Sequence, residues 1–309
     1  MWEGNQKTLK KAVTFKGIGL HSGIETRVDL EPADSDFGII FKRTDIKQNN
    51  TIKANFENVS SAKLCTKIEN KFGTSVSTIE HLMAAFYICG IDNLVVKVDG
   101  PEIPIMDGSA DEFVKIINNT GNKTLDKKRK FIKISKKIEL KEENKSISIE
   151  PSDDCFKVKF SLSYNNPIIK NQTNEINFQK NDLKEIYSAR TFCLFEDIEK
   201  VKKMGLAKGG SLDNAIVVQG DKILNKNGLR CDKEFVNHKI LDLAGDFMLA
   251  GFRVIGTVNC LHGGHSLTNS FLRKLFSKKD NFHITEDPRI SVKSIRSVEP
   301  TQKRLVVNA

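Results

Sequence analysis

The chain has 309 residues, 39% of them hydrophobic and 28% charged, with a net charge of +10. That length admits about two domains of ordinary size, and the composition is that of a globular protein, which excludes disordered and fibrous classes. With no uninterrupted apolar run of about 18 residues and no apolar stretch behind the N-terminal charges, the sequence predicts a cytoplasmic protein without stable membrane insertion.

In chain order, apolar runs bounded by turn residues predict strands near 26–32 (TRVDLEP), 37–43 (FGIIFKR) and 93–100 (NLVVKVDG). Further strands are expected near 131–140 (FIKISKKIEL), 146–151 (SISIEP), 156–164 (FKVKFSLSY) and 254–260 (VIGTVNC). Helical patterns fall near 77–89, 110–118, 195–204, 233–250 and 267–277. Strands run in groups followed by helices, with few strict βαβ alternations, so the expected class is α+β. The polar segment 119–130 marks the expected division into an N-terminal domain, 1–125, and a C-terminal domain, 126–309. The six cysteines, Cys65, Cys89, Cys155, Cys193, Cys231 and Cys260, form no CxxC pair. A zinc ribbon and a disulfide framework are therefore not expected.

A faint internal repeat links HLMAAFYICGIDNLVVKV with DLAGDFMLAGFRVIGTVN. Aligning Gly90 with Gly251, the expected helix-ending glycines, gives an offset of 161, and 81 plus 161 is 242. His81 then falls opposite Asp242, so two related halves would each offer a metal-type side chain at one point of an equivalent helix.

The helix near 235–247, FVNHKILDLAGDF, is apolar except for His238, Lys239, Asp242 and Asp246. At about 100° per residue these four lie at roughly 0°, 100°, 40° and 80°, one narrow arc. His238 and Asp242, four residues apart, can share a cation. With His81 they would form the three-ligand set of a catalytic zinc site, whose fourth position is left to water. The alternative is a buried ion cluster in which Lys239 and His238 neutralise the two aspartates, costly to desolvate. The pattern HExxH is absent. Ser77 and Glu80 fit a capping box, which gives Glu80 a structural alternative. In CLHGGHSLTNSF, His262 and His265 sit in a glycine-rich turn before a helix, and either could be a solvated turn residue. Thr191, in SARTFCLF, reads by itself as an ordinary strand threonine.

Taken together, KGIGLHSG (16–23), STIEHLMAA (77–85), PEIPIMDGSA (101–110), ARTF (189–192), GGSLDNAIV (209–217), RCDKEFVNHKILDLAGD (230–246) and GGHSLTN (263–269) resemble the motifs of one family, in its order. That family is the UDP-3-O-acyl-N-acetylglucosamine deacetylases, zinc enzymes of lipid A synthesis in Gram-negative bacteria. The resemblance covers the chain nearly end to end, but not the lysine-rich tail from about residue 277.

It implies catalytic zinc on His81, His238 and Asp242, though this ligand set does not strictly select zinc over iron(II). It implies Glu80 as general base, His265 as general acid oriented by Asp246, and Thr191 at the oxyanion. Lys239 would belong to the basic surface that meets the nucleotide diphosphate. Phe192, Leu64 and Cys65 would line the substrate, with His262 near its diphosphate. The implied fold is two similar α+β domains, their helices sandwiched between two sheets and the site at the junction. An insert near 193–217 would form a hydrophobic passage for the acyl chain. A monomer is favoured. A zinc amidohydrolase acting on another N-acetylated sugar would differ in not needing the acyl chain. Nucleic-acid binding, suggested by the +10 charge, lacks the interleaved aromatics it needs, since only 7% of residues are aromatic. A noncatalytic structural zinc site would want a cysteine-rich, four-ligand set.

Overall fold

The computed structural model describes residues 4–289, and one topology is used in it twice. The first passage begins with β1 (Asn5–Leu9), β2 (Val13–Ile18), β3 (Glu25–Pro32), β4 (Ile39–Arg43) and β5 (Thr51–Lys53). After the short strands β6 (Val59–Ser61), β7 (Lys67–Glu69) and β8 (Ser75–Val76) come α1 (Glu80–Cys89), β9 (Leu94–Val98), α2 (Asp111–Thr120) and β10 (Asn122–Lys128). The second passage opens with β11 (Phe131–Ile134), β12 (Ile138–Glu142), β13 (Lys145–Glu150), β14 (Phe156–Ser163) and β15 (Asn171–Asn177). An inserted unit follows: α3 (Lys184–Tyr187), β16 (Phe192–Leu194), α4 (Phe195–Lys203), β17 (Ile216–Gln219) and β18 (Lys222–Ile223). The passage closes with α5 (Glu234–Met248), β19 (Arg253–Leu261), α6 (His265–Phe276) and β20 (Phe282–Thr285).

The sheets repeat each other pair by pair. In the first, β9 is antiparallel to β3 and parallel to β4, with β2 and β5 outside them. In the second, β19 is antiparallel to β13 and parallel to β14, with β12 and β15 outside. The strand after the last helix pairs antiparallel with the strand that opens each passage, β10 with β1 and β20 with β11. The polar segment 119–130 therefore ends α2 and forms β10. The run 131–140 is two strands, not one.

Helices α1 and α5 are buried on nearly every side, Leu82, Ala84, Phe86, Phe235, Val236 and Leu241 among them being fully enclosed. That explains their almost continuous apolarity, since a helix with no wet face needs no polar stripe. By contrast α2 and α6 bury one stripe each, Phe113, Val114 and Ile117 in α2 and Leu267, Phe271, Leu272 and Leu275 in α6. The inner faces of both sheets and all four helices form one hydrophobic cluster, with α1 against α5, α2 beside α1 and α6 beside α5. The helices thus lie between the two sheets, in an α+β sandwich. Among the described residues no helix is long and apolar enough to cross a membrane, and the six cysteines are free thiols.

The crossing of α1 and α5 depends on Gly245. A Cβ added there would fall inside contact distance of the Glu80 carbonyl oxygen and press on the Ala84 amide. Both are backbone atoms, so the helices would have to part. Gly245→Ala is expected to destabilise by about 1–3 kcal/mol or more and to lower activity by moving α1 against α5. Thermal unfolding and kcat check this, and a parent-like Tm would mean that the crossing is looser than it looks.

Candidate active site

Two turns of α5 and the first turn of α1 bring His81, His238 and Asp242 together, each with one donor atom within 4.8 Å of the others. His238 and Asp242 share a face of α5 because they are one turn apart. His81 arrives from α1 across the helix crossing. The His238 Nε2 to Asp242 Oδ1 distance is 3.3 Å and the His81 Nε2 to Asp242 Oδ1 distance 3.5 Å. Donors bonded at about 2.0–2.1 Å around a tetrahedral ion would be separated by about 3.3 Å.

The hydrogen bonds favour a metal over a self-neutralised ion cluster. Lys239 Nζ donates to Asp242 Oδ2 at 3.0 Å, but Asp242 Oδ1, buried, has no hydrogen-bond partner. A satisfied cluster would not orphan that oxygen. His238 Nδ1 lies 2.9 Å from the Ala189 carbonyl, which only accepts, so Nδ1 carries the proton and Nε2 offers its lone pair toward Asp242. Burial pushes the His238 pKa down to about 3, keeping the ring neutral as a ligand must be. Burial works the other way on Asp242, yet the Lys239 ammonium bonded to it outweighs that and holds the carboxyl well below the usual range.

Beside this trio stands a second constellation. Glu80 Oε2 accepts from the Thr66 amide at 3.0 Å, and its Oε1 lies 3.5 Å from His265 Nε2. His265, the first residue of α6, meets Asp246 Oδ2 through Nδ1 at 2.8 Å. Asp246 Oδ1 accepts from the Thr66 hydroxyl at 2.7 Å. Thr66 therefore ties the two carboxylates together from the loop between β6 and β7. The capping reading of Glu80 does not hold: α1 has no side-chain cap at its start, and Ser77 donates to the Pro101 carbonyl instead. Thr78 takes a left-handed φ of 57° between them, which breaks the geometry a capping box requires.

Burial opposes charge on His265, but Asp246 and Glu80 outweigh it and raise its pKa to about 10. Glu80 is raised by burial, against the pull of His265 and His81. The imidazolium's contribution to stability is fully present below the unfolded pKa of 6.5 and is lost as pH rises toward about 10. In metal-free protein, Asp246→Asn is expected to lower the urea midpoint at pH 7 more than at pH 10. Equal losses at both pH values would separate His265 from Asp246.

Thr191, at the entrance to β16, faces the same pocket as Glu80, His81 and His265 and also an apolar cavity of about 440 Å³. That cavity is built by the inserted unit, with Phe192, Phe195, Ile198 and Val201 on one side and Leu20 and Leu64 on the other. The insert is broader than 193–217, since the lining runs from Thr191 to Leu224. Lys239 stands 5.6 Å above the Phe192 ring. Cys65 and His262 do not line the cavity. Cys65 is a thiol whose pKa burial and Glu80 push up to about 12, and His262 caps the end of β19 by accepting from the Ser163 amide at 3.3 Å.

Neither His21 nor Glu102 is marked out by any local spacing of the sequence. His21 lines both the metal-side pocket and the apolar cavity, and both its ring nitrogens are buried without partners. Glu102 accepts from the His21 and Ser22 amides and the Thr78 hydroxyl, at 2.9, 2.7 and 2.7 Å. Its carboxylate thereby fixes the glycine-rich turn of 16–23 over the site.

The family model described as UDP-3-O-acyl N-acetylglycosamine deacetylase matches residues 6–277. The chain is 44% identical over 282 residues to a UDP-3-O-acyl-N-acetylglucosamine deacetylase of Geotalea uraniireducens, covering 91% of each chain. To that of Syntrophotalea carbinolica it is also 44% identical, again over 91% of each. To that of Haemophilus ducreyi it is 39% identical, over 89% of this chain and 91% of the relative.

Proposed function

Because the chain belongs to the UDP-3-O-acyl N-acetylglycosamine deacetylase family, we propose that it removes the N-acetyl group of a UDP-3-O-(3-hydroxyacyl)-N-acetylglucosamine, releasing acetate, in lipid A biosynthesis. The observation that carries this reading is the trio of His81, His238 and Asp242 set between a buried carboxylate, Glu80, and an apolar cavity. Two imidazoles and a carboxylate with an orphaned oxygen suit zinc. When bound, zinc supplies Lewis acidity and a water acidic near neutral pH, about 7.

The chain's own groups would do the rest. Oε1 of Glu80 is the oxygen left free by Thr66, and it would take the water's proton. Burial brings its pKa up toward the working pH, which suits a general base. His265, held cationic by Asp246, would give its Nε2 proton to the leaving amine. The Thr191 hydroxyl would donate to the oxygen on which charge develops, an interaction whose loss typically costs about 10²-fold to 10³-fold in kcat. Lys239, cationic beside Asp242, would contribute to binding the diphosphate. Leu64 and Phe192 would hold the acyl chain in the cavity.

The test is acetate release from the acylated UDP-sugar by zinc-loaded protein, beside a chelated sample and a substrate lacking the acyl chain. Release that needs both metal and acyl chain is the expected result. Equal rates on the truncated sugar would point to an amidohydrolase of other N-acetyl sugars. No release at all would overturn the reading.

A further inference from the structure

The peptide unit between Ala189 and Arg190 is held from both sides by one helix. Its carbonyl oxygen accepts from His238 Nδ1 at 2.9 Å, and its N–H donates to Glu234 Oε1 at 3.1 Å. Glu234 and His238 are the first and fifth residues of α5, so they project from the same face. Around that peptide the grip is dense. Arg190 Nε donates to Glu234 Oε1 at 2.8 Å, and Nη2 donates to Oε2 at 3.1 Å and to the Gly228 carbonyl at 2.8 Å. The Arg230 amide donates to Oε2 at 2.6 Å. Glu234 is fully buried and Arg190 nearly so. The next residue is Thr191, whose amide donates to the Gly108 carbonyl at 2.7 Å.

A fully enclosed ion pair is weak evidence for stability, because desolvation offsets the attraction, and apolar residues of similar volume often serve as well. Here the pair sits where rotation of one peptide plane would remove the carbonyl that fixes the tautomer and ring angle of His238. Such outer partners of ligating histidines set both orientation and basicity. We propose that Arg190 and Glu234 are positioning residues: the pair clamps the 189–190 peptide so that His238 presents Nε2 to the metal and Thr191 faces the reacting carbonyl. The proposal rests on the metal-site reading above.

The test uses zinc affinity, measured by competition with a chelator and without substrate, together with thermal unfolding of the metal-free protein and the nitrogen shifts of His238. Glu234→Asp keeps the charge but shortens the reach. The double variant Arg190→Met with Glu234→Leu fills the space without charge. Both are expected to bind zinc about 10-fold to 100-fold more weakly, and in the folded double variant His238 should lose its single Nδ1–H tautomer. The double variant should be no less stable than either single replacement. Parent-like zinc affinity and tautomer in either variant would overturn the proposal and leave the pair a purely structural one. Because substrate is absent, a failure of the deacetylase reading would show only in the acetate assay, with the affinity result standing apart from it.

Discussion

Changing Glu80 to glutamine is expected to lower kcat by about 10²-fold to 10⁴-fold while the protein still binds one metal ion per chain. Glu80 is outside the trio of candidate ligands, and its Oε2 is already engaged by the Thr66 amide. A glutamine can keep that bond through its own oxygen, so α1 should be undisturbed. Its amide nitrogen would then face His265 Nε2, where a carboxylate oxygen now lies at 3.5 Å. That exchange removes the proton acceptor and one of the charges that hold His265 cationic. Metal analysis beside steady-state kinetics decides the matter. An unchanged kcat would return Glu80 to a structural role at the loop bearing Thr66.

Asp242→Ala is expected to abolish both metal binding and activity. Asp242 is the only acidic group among the three donors, and its Oδ1 is the atom that both imidazoles approach. The fold should survive. Lys239 would lose its partner, but its side chain is 24% exposed and its long stem lets the ammonium turn to solvent. Metal content after gel filtration and the urea midpoint together read the outcome. Full metal stoichiometry in the variant would remove Asp242 from the ligand set.

Much of this was legible in the sequence, for reasons that differ by element. The arc of His238, Lys239, Asp242 and Asp246 follows from helical period alone, and its contacts stay on one side of α5. The strands that bury alternate residues, such as β3 and β14, announce themselves by that alternation. The elements that escaped are those whose side chains give no such signal. β10, NKTLDKK, has no fully buried residue, and it earns its place through backbone pairing with β1. β15, NQTNEIN, is an edge strand with one buried residue. The Ser77 to Glu80 spacing promised a cap, but a bridge from Ser77 to Glu102 carries the chain into α1 in a different direction. Thr66 and Glu102 were illegible because their roles are made by long-range hydrogen bonds to Asp246 and to the turn at His21, which no local spacing encodes.

The helix crossing at Gly245 gives the metal site a mechanical meaning. One candidate ligand, His81, belongs to the first passage of the fold, and the other two, His238 and Asp242, to the second. An ion bound there would rivet the two passages beside the tight crossing of their helices at Gly245. At a free concentration of a thousand times its Kd, it would add about 4 kcal/mol against unfolding. Metal scarcity would then act as a loosening agent on the whole molecule, so that the same depletion that stops the chemistry also makes the chain easier for a protease to open.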